Sequence, residues 1–346
     1  MSASQVPDYY QYSLALKPEE EELSRKFQRW LPDQIIDCHA HCCPSEHLLG
    51  LDEALLRHMM TTFPVFNLEQ SYAEQKLLYH DKHVKTLRFA SAYRGIDHRA
   101  SNEYLVENSR SFDRVALYGL PDDVEYTNRE LRSGKYSGLK MYYQYFNPPA
   151  TTIYGFFKPE ILEEAQSLEI PIILHLPQLI TNCQDDLARV LKDFPSQKIV
   201  LAHLGLPHYV MPGLFEAYER FAPYDNVLMD TSLIPSADVA VMALKSFGSH
   251  RIMYGSDEPL NLVRAKVYNN PDLGQRLITE YQYHWVDWAE HEKYKQYAVD
   301  IVHIHWQALG AIRAAIEALP GGQQDRAKQR IFHDNAQQVF KFFSVK

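Results

Sequence analysis

Short apolar, β-branched runs bounded by turn or charged residues recur along this chain, spaced widely enough to leave a helix between most neighbours. They predict eight strands, at 34–41, 84–93, 114–121, 137–144, 171–177, 198–205, 226–233 and 251–259. Between them lie amphipathic segments such as KPEILEEAQSLE, QDDLARVLKDF, PGLFEAYERFA and SADVAVMALKSFG. Near-continuous apolar strands require cover on both faces. Eight alternations of strand and helix therefore predict an α/β fold, the (β/α)8 TIM barrel, with helices outside and packed side chains within. A doubly wound open sheet is the alternative, but no GxGxxG follows the first strand.

The pattern also predicts a helix over 18–31, a long insertion after the eighth strand, and two closing helices at 301–319 and 324–343. No internal repeat, low-complexity tract or Gly/Ser linker interrupts it. The expectation is one domain over 1–346, with the barrel at about 34–300 and the C-terminal helices at 301–343.

Composition narrows the partners. With 346 residues and 46% hydrophobic content, the chain can bury a large core. A net charge of −9 and the absence of a long Lys/Arg run argue against nucleic acid or an anionic membrane. A small-molecule substrate is expected. No run approaches the ~18 apolar residues of a membrane span, and the N-terminus lacks the pattern of a secretory signal, so the expected location is cytoplasmic. The four cysteines include the neighbours Cys42 and Cys43 but no CxxC pair, which gives neither a disulfide framework nor a zinc-finger pattern.

The candidate chemistry lies at strand ends. In IIDCHAHC, residues 35–42, His39 and His41 are two apart, so a strand projects both to one face, where neutral imidazoles can chelate one divalent ion. Polar residues recur at the ends of other predicted strands: Lys140 in GLKMY, His175 in ILHLP, His203 in LAHLG and Asp257 in YGSDEP. Taken alone, each has an ordinary role as a hydrogen-bonded core histidine or a turn residue. Together they fall on strands one, four, five, six and eight, and barrel active sites are assembled from the C-terminal ends of different strands.

With these residues the sequence resembles the amidohydrolase superfamily, in particular the amidohydrolase-related branch that includes aminocarboxymuconate semialdehyde decarboxylase, resorcylate decarboxylases and lactonases. The resemblance runs over roughly 34–343, from the HxH of the first strand to FHDNAQQVF near the end. It implies a divalent ion, zinc first with manganese or iron as alternatives, held by His39, His41, His175 and Asp257, with His203 beside the water. It also allows a carbamylated Lys140 bridging two ions. One ion, with Lys140 as an ammonium that grips a substrate carboxylate, is the preferred expectation. The resemblance further suggests a homodimer or larger assembly.

Two reactions suit such a site. In the first, metal-activated water hydrolyses an amide, lactone or ester, with Asp257 moving the proton and His203 orienting water or the oxyanion. The alternative is non-oxidative decarboxylation on the same scaffold, and a third reading is an inactive barrel that only binds. Lys140 and Arg94, the latter just beyond the second strand, are candidate carboxylate clamps. Aromatic clusters after Lys140 (Tyr142, Tyr143, Tyr145 and Phe146, with Tyr142 a candidate substrate contact) and at 281–297 suit a planar substrate. Tyr281, Trp285 and Trp288 also have helical spacing, which predicts a helix packed on the barrel.

Overall fold

A computed structural model describes residues 9–49, 63, 65–92, 95–281, 283 and 288–342. Two helices, α1 (Tyr9–Leu14) and α2 (Pro18–Trp30), precede the sheet. Its eight strands stand in sequence order, and every ladder between neighbours is parallel. They are β1 (Gln34–Cys42), β2 (His83–Ala90), β3 (Arg114–Tyr118), β4 (Gly138–Met141), β5 (Ile172–Leu174), β6 (Ile199–Leu201), β7 (Val227–Asp230) and β8 (Ile252–Met253). The crossovers carry α3 (Leu68–Tyr79), α4 (His98–Asn108), α5 (Val124–Arg132), α6 (Pro159–Ser167), α7 (Gln184–Asp193), α8 (Leu214–Phe221) and α9 (Ala237–Phe247). This is the expected (β/α)8 barrel. No helix among the described residues is long and apolar enough to cross a membrane.

Each predicted strand is present, but most are shorter at the C-terminal end. The reason is chemical. His175 and His203 follow the last ladder residues of β5 and β6, where the chain leaves regular pairing to place polar groups at the mouth.

Inside the barrel, Ile36, Leu87, Ala116, Ile173, Val200, Leu228 and Met253 form one buried layer with Val339 and Phe340. These last two come from the closing segment, α12 (Gly321–Gln329), a π-helical turn and α13 (Asn335–Val339). Asn335 donates to the carbonyls of Ser249 and Ile252 at 2.7 Å each, fixing this segment across the N-terminal rim. A Cβ on Gly138 would stand 3.3 Å from the Phe340 ring, so the first residue of β4 must be small.

The closure between β8 and β1 relies on the residues just beyond β8. Cys38 N–H donates to the Tyr254 carbonyl at 3.0 Å, Asp257 N–H to the His39 carbonyl at 2.8 Å, and His41 N–H to the Glu258 carbonyl at 2.7 Å. Gly255 permits this approach, since a Cβ there would come within 2.9 Å of the His39 Cβ.

The segment after β8 differs from the expected helix. It forms an antiparallel hairpin, β9 (Ala265–Asn270) with β10 (Gly274–Thr279), and α10 (Trp288–Tyr294) follows further on. Tyr281 and Tyr283 lie outside any helix with rings 4.3 Å apart, as i and i+2 side chains do on extended chain. Thr279 Oγ1 donates to the Tyr281 carbonyl at 2.6 Å, and Tyr283 Oη accepts from the Arg264 N–H at 3.2 Å. Trp285 lies outside the described residues. The long helix α11 (Ile304–Glu317) occupies the first of the two expected C-terminal positions.

Candidate metal centre

Because all eight strands run in one direction, their C-terminal ends share a rim, and the candidate residues of β1, β4, β5, β6 and β8 meet there. A β-bulge sets the first two. Asp37 pairs with Thr86, but the next partner of Arg88 is Ala40, so β1 takes three steps where β2 takes two. Ile36 and Cys38 point into the barrel below this point. Above it the inward set changes parity, and the rings of His39 and His41 pack edge-on against the inward-facing Phe89, at 5.0 and 4.7 Å.

His39 Nε2 lies 3.2 Å and His41 Nε2 3.0 Å from one oxygen of Asp257. The donor atoms of this buried trio are all within 4.8 Å of one another, and the three residues could hold a metal ion. His203 stands beside His39, ring centres 5.0 Å apart, and His175 beside His203 at 5.2 Å. The chain thus brings all four histidines and Asp257 to one place, with His175 at the edge of the trio. Tyr142 covers His175 edge-on at 4.8 Å. Lys140 Nζ lies 5.2 Å from the centre of the Phe89 ring, on the ring that the two β1 histidines also touch. Arg94 lies outside the described residues.

Hydrogen bonds fix which ring nitrogen faces inward. His39 Nδ1 contacts Asp230 Oδ2 at 2.9 Å, His203 Nδ1 the Ser232 carbonyl at 3.0 Å, His175 Nδ1 the Leu176 carbonyl at 2.9 Å, and His41 Nδ1 the Ala90 carbonyl at 3.4 Å. All four partners are acceptors, so each Nδ1 carries the hydrogen and each Nε2 keeps a lone pair. For His39 and His41 those lone pairs face a carboxylate oxygen. His39 Nε2 and Asp257 Oδ1 have no hydrogen-bond partner among the described residues although both are buried. Electron-rich atoms placed this closely need a positive charge between them, and a divalent ion with N and O ligands fits the donor set.

The electrostatics describe the same atoms with a proton on His39 in place of the cation. Burial by itself would raise the Asp257 carboxyl, but His39, with His41 and His203, outweighs it and holds the group well below the usual carboxylate range. Burial pushes His203 down to about 4 and His175 well below the ordinary imidazole value, and it lowers His41. His39 differs. Burial opposes its charge, yet Asp230 and Asp257 on either side raise it. Burial also brings Lys140 down to about 8.

Two of the candidate residues at the rim have strained backbones. His203 has φ of 55° and Asp257 φ of 63°, the left-handed region that residues with a Cβ seldom occupy. Both are tied down: His203 N–H donates to Asp230 Oδ1 at 3.0 Å, and Asp257 N–H to the His39 carbonyl. Strain held in this way is a mark of a functional site.

Sequence reasoning passed over Asp230, the last residue of β7. It is fully buried, holds His39 and His203 together, and also accepts from Ser232 N–H at 3.1 Å. The signal was available, because NVLMDTSL ends a predicted strand on a polar residue just as the other candidate strands do. Phe89 and Tyr118 carried no such signal, since aromatic residues in strands are ordinarily core.

A parallel eight-stranded barrel with converging polar side chains on its C-terminal rim defines the class of barrel enzymes that do their chemistry at that end. The amidohydrolase family model matches residues 36–342, and the chain belongs to that family. No curated relative matches. Solved structures with the same fold include an amidohydrolase from Burkholderia multivorans with bound zinc (14% identity, 89% of this chain and 99% of that one, TM-score 0.57). Another is 5-carboxyvanillate decarboxylase from Novosphingobium aromaticivorans, complexed with manganese and 4-hydroxy-3-methoxy-5-nitrobenzoic acid (14%, 89% and 96%, TM-score 0.55). A third is 2,6-dihydroxybenzoate decarboxylase from Rhizobium (14%, 89% and 98%, TM-score 0.51).

Proposed function

We propose that this protein is a metal-dependent hydrolase that cleaves an amide, lactone or ester bond in a small carboxylate-bearing or aromatic substrate. His39, His41 and Asp257 would hold one divalent ion, zinc before manganese or iron, with His175 able to join them from β5. When bound, the ion supplies Lewis acidity, polarising a carbonyl and bringing the pKa of water down from about 16 towards about 7. Asp257, held ionised, accepts the proton of the attacking water and delivers it to the leaving oxygen or nitrogen as the carbon–oxygen bond forms and the scissile bond breaks. Tyr142 stands edge-on to His175 beside this centre.

The observation that carries hydrolysis over its alternative is the tautomer of His203. Its Nδ1–H is committed to the Ser232 carbonyl, and burial keeps the ring neutral. Nε2 therefore presents a lone pair, suited to accepting from and orienting water. Decarboxylation needs the opposite, a group that gives a proton to carbon. It remains the second reading because solved structures of this fold include decarboxylases of aromatic acids and because the mouth is lined with aromatic rings.

The test is elemental analysis of the purified protein with a screen of lactones, amides and aromatic carboxylates, with and without chelator. Acid release that stops with chelator, without carbon dioxide, is expected. Carbon dioxide release would transfer the assignment to decarboxylation. A protein that binds no metal and gains no stability from zinc or manganese would be a binding scaffold.

A further inference from the structure

Two buried polar atoms in the barrel mouth have no hydrogen-bond partner among the described residues after the metal centre is accounted for: the Lys140 ammonium and the Tyr118 hydroxyl. Lys140 is 1% exposed and Tyr118 fully buried. They are register partners on β4 and β3, so their side chains leave adjacent strands at the same level. The alternation of β3 puts Tyr118 on the face of Ala116, which belongs to the interior cluster. Neither is an accident of loose packing. Tyr118 is stacked on His98 with ring centres 4.0 Å apart and planes within 6°, and Lys140 sits over Phe89.

A buried ammonium without a hydrogen-bonded counterion costs several kcal/mol relative to a paired one. The nearby carboxylates do not supply one, because Asp230 is engaged by His39, His203 and Ser232, and Asp257 by His39 and His41. A ligand with a negative charge would. Tyr118 keeps its proton, since burial raises its hydroxyl far above neutrality. It therefore remains a donor on the strand next to that of the cation, at the same register, and such a pair suits a carboxylate with one oxygen on each. Lys140, His39 and His41 all lie against the Phe89 ring, and the charge on Lys140 reaches both histidines, which places the anion close to the metal centre.

We infer that Lys140 and Tyr118 form a two-point anion subsite that holds the carboxylate of the substrate while its scissile group lies at the metal centre. This rests on the metal-dependent reading for the second half of the statement only. The substrate class is then a small carboxylic acid whose carboxylate is not the reacting group.

Benzoate, with benzamide as its neutral counterpart, probes the subsite by calorimetry on the full chain, both zinc-loaded and after EDTA treatment, in wild type, Lys140→Met and Tyr118→Phe. Benzoate should bind the EDTA-treated wild type, benzamide should not, and each variant should weaken benzoate about tenfold or more while retaining the wild-type zinc content. Tyr118→Phe removes one oxygen and keeps the stacked ring, so it reports even where Lys140→Met disturbs folding. Equal benzoate affinity in Tyr118→Phe and wild type would overturn the subsite. So would loss of zinc in Lys140→Met, which would make Lys140 a metal-site residue. Benzoate binding to a protein that takes up no zinc would uphold the subsite and remove the metal-dependent reading.

Discussion

Asp230 holds His39 by its Nδ1 at 2.9 Å, from the opposite side of the ring to Asp257, which lies 3.2 Å from Nε2. One imidazole is thus suspended between two carboxylates contributed by β7 and by the segment after β8. This arrangement orients the Nε2 lone pair and makes the ring a better donor towards a cation.

Replacing Asp230 should therefore weaken metal binding without touching a ligand. Asp230→Asn keeps an acceptor but loses the charge, and Asp230→Ala loses both. Zinc affinity, measured by competition with a chelator, should fall about 10- to 100-fold, further for Ala than for Asn. An unchanged affinity in both would mean that His39 does not bind the ion.

His39→Ala and Asp257→Asn should separate holding the metal from using it. The first should abolish bound metal and turnover together. It should also remove the stabilisation that the ion provides, about 2.7 kcal/mol in wild type at a free ion concentration 100-fold over Kd. The second should retain much of the metal and lose turnover by about 100-fold or more, because the proton acceptor is gone. Metal content and rates on the same preparations decide this, and metal retained in His39→Ala would show that β1 is not the anchor.

The buried histidines outside the metal centre predict an acid limb of stability. Burial pushes His98 and His303 down to about 4 and His305 to about 3. In the unfolded chain they titrate at about 6.5. Below that value the unfolded state binds protons that the folded state refuses, so stability is full above about pH 6.5 and is lost as pH falls. Each ring contributes up to about 1.4 kcal/mol per pH unit. His305 packs against Tyr79 and Trp306, so His305→Phe keeps an aromatic ring and should flatten the limb by one proton. Denaturant unfolding at pH 6.5, 5.5 and 4.5 measures it, and parallel slopes would mean that His305 is not held neutral.

At the other end of the barrel, Phe340→Ala should cost about 3–5 kcal/mol, since it removes the ring that fills the space above Gly138 in a fully buried layer. The loss should appear in unfolding midpoints without altering zinc affinity, because Phe340 packs on the N-terminal ends of the strands and the site lies at their C-terminal ends. A changed zinc affinity would show that the two ends of the barrel are coupled.

The pattern of apolar runs was enough to identify all eight strands and the barrel. Polarity at the ends of those runs was enough to select His39, His41, Lys140, His175, His203 and Asp257. Strand identity and strand ends are local properties, encoded in alternation and composition over a few neighbouring residues. What lay beyond local reach was lateral. The bulge in β1 that turns His39 and His41 inward depends on how β1 lies against β2, and the meeting of both with Asp257 depends on the backbone bonds that close the barrel. The roles of Asp230 and Tyr118 come from their neighbours on other strands: His39 on β1 for one, Lys140 on β4 for the other. Likewise, no spacing in the chain announces that each imidazole spends its Nδ1 on an acceptor and keeps Nε2 for the mouth. The chain's own periodicity decides which residues reach the rim; only the closed sheet, by setting register and ring orientation, decides which of them face one another.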